Sequence, residues 1–150
     1  MYTNTIKTDI PTFIDQTFNQ LSLIPALEWE HQPNPDRWSR KEIAGHLIDS
    51  AMNNIRRLLV TPYQANDRIV YRQEDWVRAS DYQHTPVPDI LALWKLLNLQ
   101  FHRIAQNIPV TSMDLTCDTG QDQPSLHTLA FLIDDYWGHQ QHHLRQILGE

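Results

Sequence analysis

Four stretches of this chain repeat apolar residues every three or four positions, and none alternates them every second position. That period is helical, and it confines the chain to folds in which helices bury their stripes against one another. The first stretch, residues 9–24, carries Ile10, Phe13, Ile14, Phe18, Leu21 and Ile24. Asp9 can cap it, and Pro11 falls in the first turn, where a missing N–H costs nothing. The second has the clearest start in the chain. Ser39 is followed three residues later by Glu42, a capping box, with Trp38 placed to pack on Ile43 as a hydrophobic staple. Its stripe runs through Leu47, Ala51, Ile55 and Leu58 to Thr61-Pro62. The third begins near Pro88-Asp89 and ends at Ile108, before Pro109. The fourth is expected to begin at Ser125 and to end at Gly149.

Between the helices the chain reads as connection. Residues 25–37 hold Pro25, Pro33 and Pro35, and residues 110–124 are polar and loop-like. Residues 62–88 form one long link, in which 73–80 suit a short helix around Trp76. With 150 residues, 41% hydrophobic and 20% charged, the chain suits a single globular domain over 1–150, an all-α four-helix bundle. The net charge of −6 and the lack of a basic stripe speak against a nucleic-acid partner, because such binding rests on neutralised phosphates. No apolar run suits a bilayer span, and residues 1–9 show no signal core, so a cytoplasmic protein without a membrane partner is expected. Cys117, the single cysteine, excludes an internal disulfide and a cysteine-rich zinc site, and has no base nearby in sequence. Trp29 and Trp76, read as exposed in the linkers, suggest either loop packing over the bundle's end or a homodimer contact.

The chemistry concentrates in histidine. His139 and His143 are one turn apart on the core-facing stripe of the last helix, the spacing at which two imidazoles chelate one metal. Chance produces such pairs often, so the spacing needs a third ligand, and His46 is the candidate. His46 lies about 9 Å from the start of its helix, and the pair lies about 7–14 Å from the end of theirs. The three share a level only if those helices run antiparallel. A plain up-down-up-down bundle would make them parallel. One long crossover repairs this, giving up-down-down-up, and the link between the second and third helices can span a ~30 Å helix at about 3.3 Å per residue. Three imidazoles leave zinc or nickel with open positions, which suits activation of a water or a thiol. Beside His46 runs a polar row, Ser50, Asn53 and Arg57. It reads either as a substrate pocket or as an interhelical hydrogen-bond network on a solvated shoulder. His142 points away from the stripe, and His31, His84, His102 and His127 have no partner at ligand spacing.

The segments Trp38–Ser50 and Trp137–Ile147, with Gln73 and Asp75-Trp76-Val77 in the long link, resemble the signatures of the DinB-like superfamily. The resemblance implies a four-helix bundle with a three-histidine metal site at His46, His139 and His143. It also implies reactions like those of characterised members, which include thiol S-transferases using bacillithiol-like low-molecular-weight thiols and a mycothiol-dependent isomerase. The expectation is a metal-dependent enzyme that conjugates such a thiol to an electrophilic small molecule. The alternatives are a hydrolase using a metal-bound water, a non-catalytic metal- or ligand-binding protein, and a dimeric stress protein with vestigial histidines. No catalytic residue beyond the ligands is assigned.

Overall fold

The computed structural model describes Ile6 and residues 8–150. Most of the amino-terminal stretch inspected for a signal therefore lies outside the described residues. Among the described residues six α-helices form in chain order: α1 (Ile10–Ser22), α2 (Ala26–Glu30), α3 (Arg40–Val60), α4 (Gln73–Ser80), α5 (Val87–Asn107) and α6 (Leu129–Leu148). The four long ones, α1, α3, α5 and α6, make the bundle. Asp9 caps α1 through the Thr12 N–H, and the Ser39–Glu42 box closes at the start of α3. Gly149, in the left-handed region at φ 78°, ends α6.

Contacts between helices order their directions. Arg40 at the start of α3 donates to the Ile147 carbonyl at the end of α6, over 2.8 Å, so these helices run oppositely. Trp94 and Asn98 of α5 bond Gln140 and Tyr136 of α6, in reverse order along the chain, so α5 also opposes α6. Hence α3 and α5 point the same way. The long link between them climbs back along the bundle through α4 and a 3₁₀ turn at Tyr82–His84.

Gly45 explains where that link docks. A Cβ there would stand 2.0 Å from the Tyr82 ring, so the missing side chain is the seat of the tyrosine. The Tyr82 hydroxyl then donates to Asp49 Oδ1 over 2.6 Å. Gln83 accepts from the hydroxyl of the capping Ser39, and Lys41 bonds the Gln83 carbonyl. The start of α3 is thereby pinned by its own cap and by the link. Between α5 and α6, Phe101 stacks on Tyr136 with centroids 3.8 Å apart and meets Trp137 edge-on.

Three expectations are corrected. Trp29 is fully buried, carried on the short helix α2 within the stretch expected to be irregular loop. Its ring belongs to the core and supplies no dimer contact, whereas Trp76 keeps 37% of its surface exposed beside Tyr71. Residues 110–124 are not all loop. β1 (Thr116–Asp118) pairs antiparallel with β2 (Leu126–Thr128), Cys117 facing His127 in register. Three-residue strands are too short to declare a period of two. The hairpin also delays α6, which starts at Leu129 with Thr128 as its cap rather than at Ser125, because the Ser125 N–H is taken by Asp118 Oδ1. Among the described residues no helix is long and apolar enough to cross a membrane.

Candidate metal centre

His46 stands on the second turn of α3, and His139 and His143 stand one turn apart on α6. Because these helices are antiparallel, residues 93 positions apart meet: the Nε2 atoms of His46 and His139 lie 3.0 Å from each other. One ligand nitrogen from each of the three imidazoles falls within 4.8 Å of the others. Each ring meets the next nearly edge-on, with centroids 4.6–5.0 Å apart.

The rings are held from outside the cluster. His143 Nδ1 lies 2.8 Å from Gln146 Oε1, so it carries the proton and leaves Nε2 as the lone pair. Trp38 lies against His46 at 4.9 Å between centroids. The residue expected as a staple for Ile43 is thus also the wall that fixes this imidazole. His46 Nδ1 is buried without a partner, so packing and the Nε2 contact with His139 orient the ring.

Electrostatics keep the three neutral. Burial, with the His143 charge second, pushes His46 down to about 4. Burial and then the neighbouring histidines push His139 down to about 3. His143 is lowered by burial, against the opposing bond to Gln146. Protons would compete for the lone pairs only in acid.

This set fits a divalent ion. Nitrogen ligands at about 2.0–2.1 Å around a tetrahedral zinc stand about 3.3 Å apart, and at cis positions of an octahedral ion about 3.0 Å apart. The 3.0 Å between His46 and His139 suits either. The contact needs either a proton on one of the two nitrogens or a cation between them, because two lone pairs at 3.0 Å would repel. Among the described residues this is the cluster of ligating side chains close enough to hold an ion.

A polar cavity of about 330 Å³ opens beside the cluster, with His46 and His139 in its wall. The polar row enters it in part. Ser50 and Arg57 line the cavity, whereas Asn53 does not: its amide turns back to the Asp49 carbonyl. Asn54 takes the place expected for Asn53, bonding the Ser50 carbonyl and accepting from Arg57. On the helical wheel residue 53 falls about 20° to one side of His46 and residue 54 about 80° to the other, toward Ser50. The cavity lies on the Ser50 side.

His127, read from the sequence as an ordinary polar residue, is also in the wall. It stacks on Phe131 at 4.5 Å, and its Nε2 lies 3.0 Å from Ser125 Oγ. Spacing could not find it, because the hairpin alone carries it to the site. His142 is exposed, as expected. Cys117 is fully buried and bonds the Asp67 carbonyl, and burial pushes its thiol up. A second, more open hollow of about 530 Å³ lies by α4 between Tyr71, Arg78 and Gln121, and no histidine lines it.

The comparisons bear on the family and the fold. The family model described as DinB superfamily matches residues 14–147. YfiT from Bacillus subtilis, described as a probable metal-dependent hydrolase with an unusual four-helix bundle topology, superposes with a TM-score of 0.81. The match covers 99% of this chain and 91% of that one at 16% identity, a likeness of fold. No curated protein matches.

Proposed function

The chain belongs to the DinB superfamily, and from that membership and its histidine cluster we propose that it is a divalent-metal-dependent enzyme acting on a small molecule. The observation that carries the reading is the convergence of three neutral imidazoles beside a polar cavity, two of them, His46 and His139, in its wall. His46, His139 and His143 would hold the ion, and zinc and nickel suit such ligands. When bound, the ion supplies Lewis acidity, which lowers the pKa of a water or a thiol and polarises an electrophile.

The rest is done by the chain's own residues. Gln146 and Trp38 keep two of the imidazoles oriented. Ser50 and Asn54 offer hydroxyl and amide groups to a bound molecule, and Phe131 and Leu132 give it an apolar wall. His127, fixed by Phe131 and Ser125, stands where it can take a proton from a nucleophile or give one to a leaving group.

The nucleophile defines the reaction. The first reading is conjugation of a low-molecular-weight thiol, such as bacillithiol, to an electrophilic small molecule. Hydrolysis is the second, and it is favoured by the description of YfiT as a probable metal-dependent hydrolase. Protein reconstituted with zinc or nickel should be incubated with bacillithiol or glutathione and a chloro-aromatic or epoxide acceptor, and separately with ester and amide substrates. Metal-dependent conjugation that disappears in His139→Ala supports the transferase. Turnover of esters or amides without thiol moves the assignment to hydrolase. Stoichiometric metal with no turnover in either arm would replace both with a binding role.

A further inference from the structure

Arg57 sits in the last turn of α3 and lines the cavity, its side chain mostly withdrawn from water. Among the described residues its guanidinium makes three hydrogen bonds, all to uncharged acceptors. Nε and Nη2 donate to the Ile69 carbonyl over 3.1 and 2.8 Å, and Nη1 donates to Asn54 Oδ1 over 3.3 Å. A guanidinium has five N–H groups, so two remain, one on each terminal nitrogen. The Ile69 clamp comes from the long link and fixes the plane of the group.

Buried arginines ordinarily sit against a carboxylate, because a lone cation out of water is costly. Here the compensation is partial. Burial lowers the pKa of Arg57, and the opposing influences of Cys117, Tyr71 and Asp135, in that order, do not offset it. Helical side chains lean toward the helix N-terminus, so Arg57 leans back along α3 toward Ser50 and the histidines. Eleven residues separate it from His46, about 16 Å of axis. Both residues nevertheless line one cavity.

We propose that Arg57 is an anchor for a carboxylate, so that the substrates of this site are small carboxylic acids whose reacting group lies several bonds from the acid. The proposal rests on the cavity being the substrate site, and it adds the substrate class. Planar recognition by two N–H groups suits a carboxylate. The Asp135 carboxylate in the same cavity disfavours a doubly charged phosphate.

The test uses the full chain without metal, labelled with ¹⁵N, and titrated with butyrate, with the neutral isostere butyramide and with inorganic phosphate. Butyrate should shift the Arg57 Nε–H and Asn54 side-chain signals saturably, with phosphate weaker and butyramide without effect. Arg57→Gln should weaken butyrate about tenfold or more. Arg78→Gln, a change at an exposed arginine outside the cavity, should bind as the unaltered protein does. Because the titration is run without metal, a failure of the metal site leaves its result unchanged, which separates that failure from failure of the anchor. Equal shifts from acid and amide, or unaltered binding in Arg57→Gln, would overturn the proposal. If Arg57→Gln does not fold, the acid–amide comparison at the Arg57 Nε–H of the unaltered protein decides alone.

Discussion

His46 meets two demands at once, burial in the bundle and a lone pair that can serve as a ligand, and its surroundings reconcile them by keeping it neutral. The first prediction follows from that pairing of burial and ligation. The protein should take up about one zinc or nickel per chain. His139→Ala and His143→Ala should abolish tight binding, and His46→Ala should weaken it about tenfold or more, as loss of a ligand does. His142→Ala should change little. Elemental analysis after reconstitution and desalting reads this directly, and an ion count unaffected by the triad substitutions would refute it. The same residues make the metal-free protein sensitive to acid. The folded-state values of His46 and His139 are depressed to about 4 and about 3 from an ordinary 6.5. Their contribution is therefore intact above about pH 6.5 and is lost as pH falls toward those values, because the unfolded chain binds protons first. Asp49 acts oppositely: burial raises it to about 6, so its native form gains protons, and stability, between 6 and 3.8 as pH falls. Several depressed histidines oppose one carboxyl, so urea midpoints in chelator should fall from pH 7 to pH 4.5. A flat or rising profile would contradict the neutral cluster.

At the scale of elements, the site depends on how α3 is set against the long link and how α6 is set against α5. Gly45 looks like a weakness in a helix, since Ala there would ordinarily add about 1 kcal/mol of stability. The Tyr82 ring occupies the space of that methyl group. Gly45→Ala should therefore destabilise by about 1–3 kcal/mol, the usual cost of overpacking, by forcing the ring off Asp49. In the Tyr82→Ala background the same change should cost much less or stabilise, and additivity of the two in urea unfolding would argue against this packing. On the other side, the Trp94–Gln140 and Asn98–Tyr136 bonds, 3.0 and 2.7 Å long, set the height of α6. A slip of one turn would strand four buried polar groups and carry His139 and His143 away from His46.

Across the whole molecule, the ligands lie 93 and 97 positions apart from His46 in sequence, so an ion held by them would bind the folded chain far better than the unfolded one. Free ion at about 100 times its dissociation constant should add about 2.7 kcal/mol of stability, visible as a raised thermal midpoint. That rise should vanish in His139→Ala, and a rise surviving there would place the ion elsewhere. The long stripes, the Ser39–Glu42 box, the short helix at 73–80 and the paired histidines were all legible in the sequence. Each is a short-range pattern: a period of 3.6, a cap reaching three residues, a ligand one turn away. Even the partnership of His46 with the last helix could be argued, because helix rise and link length are properties of the chain alone. Tertiary structure decided what depends on neighbours distant in sequence. The apparent linker residue Trp29 became core, His127 was carried to the cavity by a hairpin too short to show a period, and Asn54 replaced Asn53. Which flank of α3 faces a cavity is set by the elements packed around it, and no local pattern on that helix contains their positions.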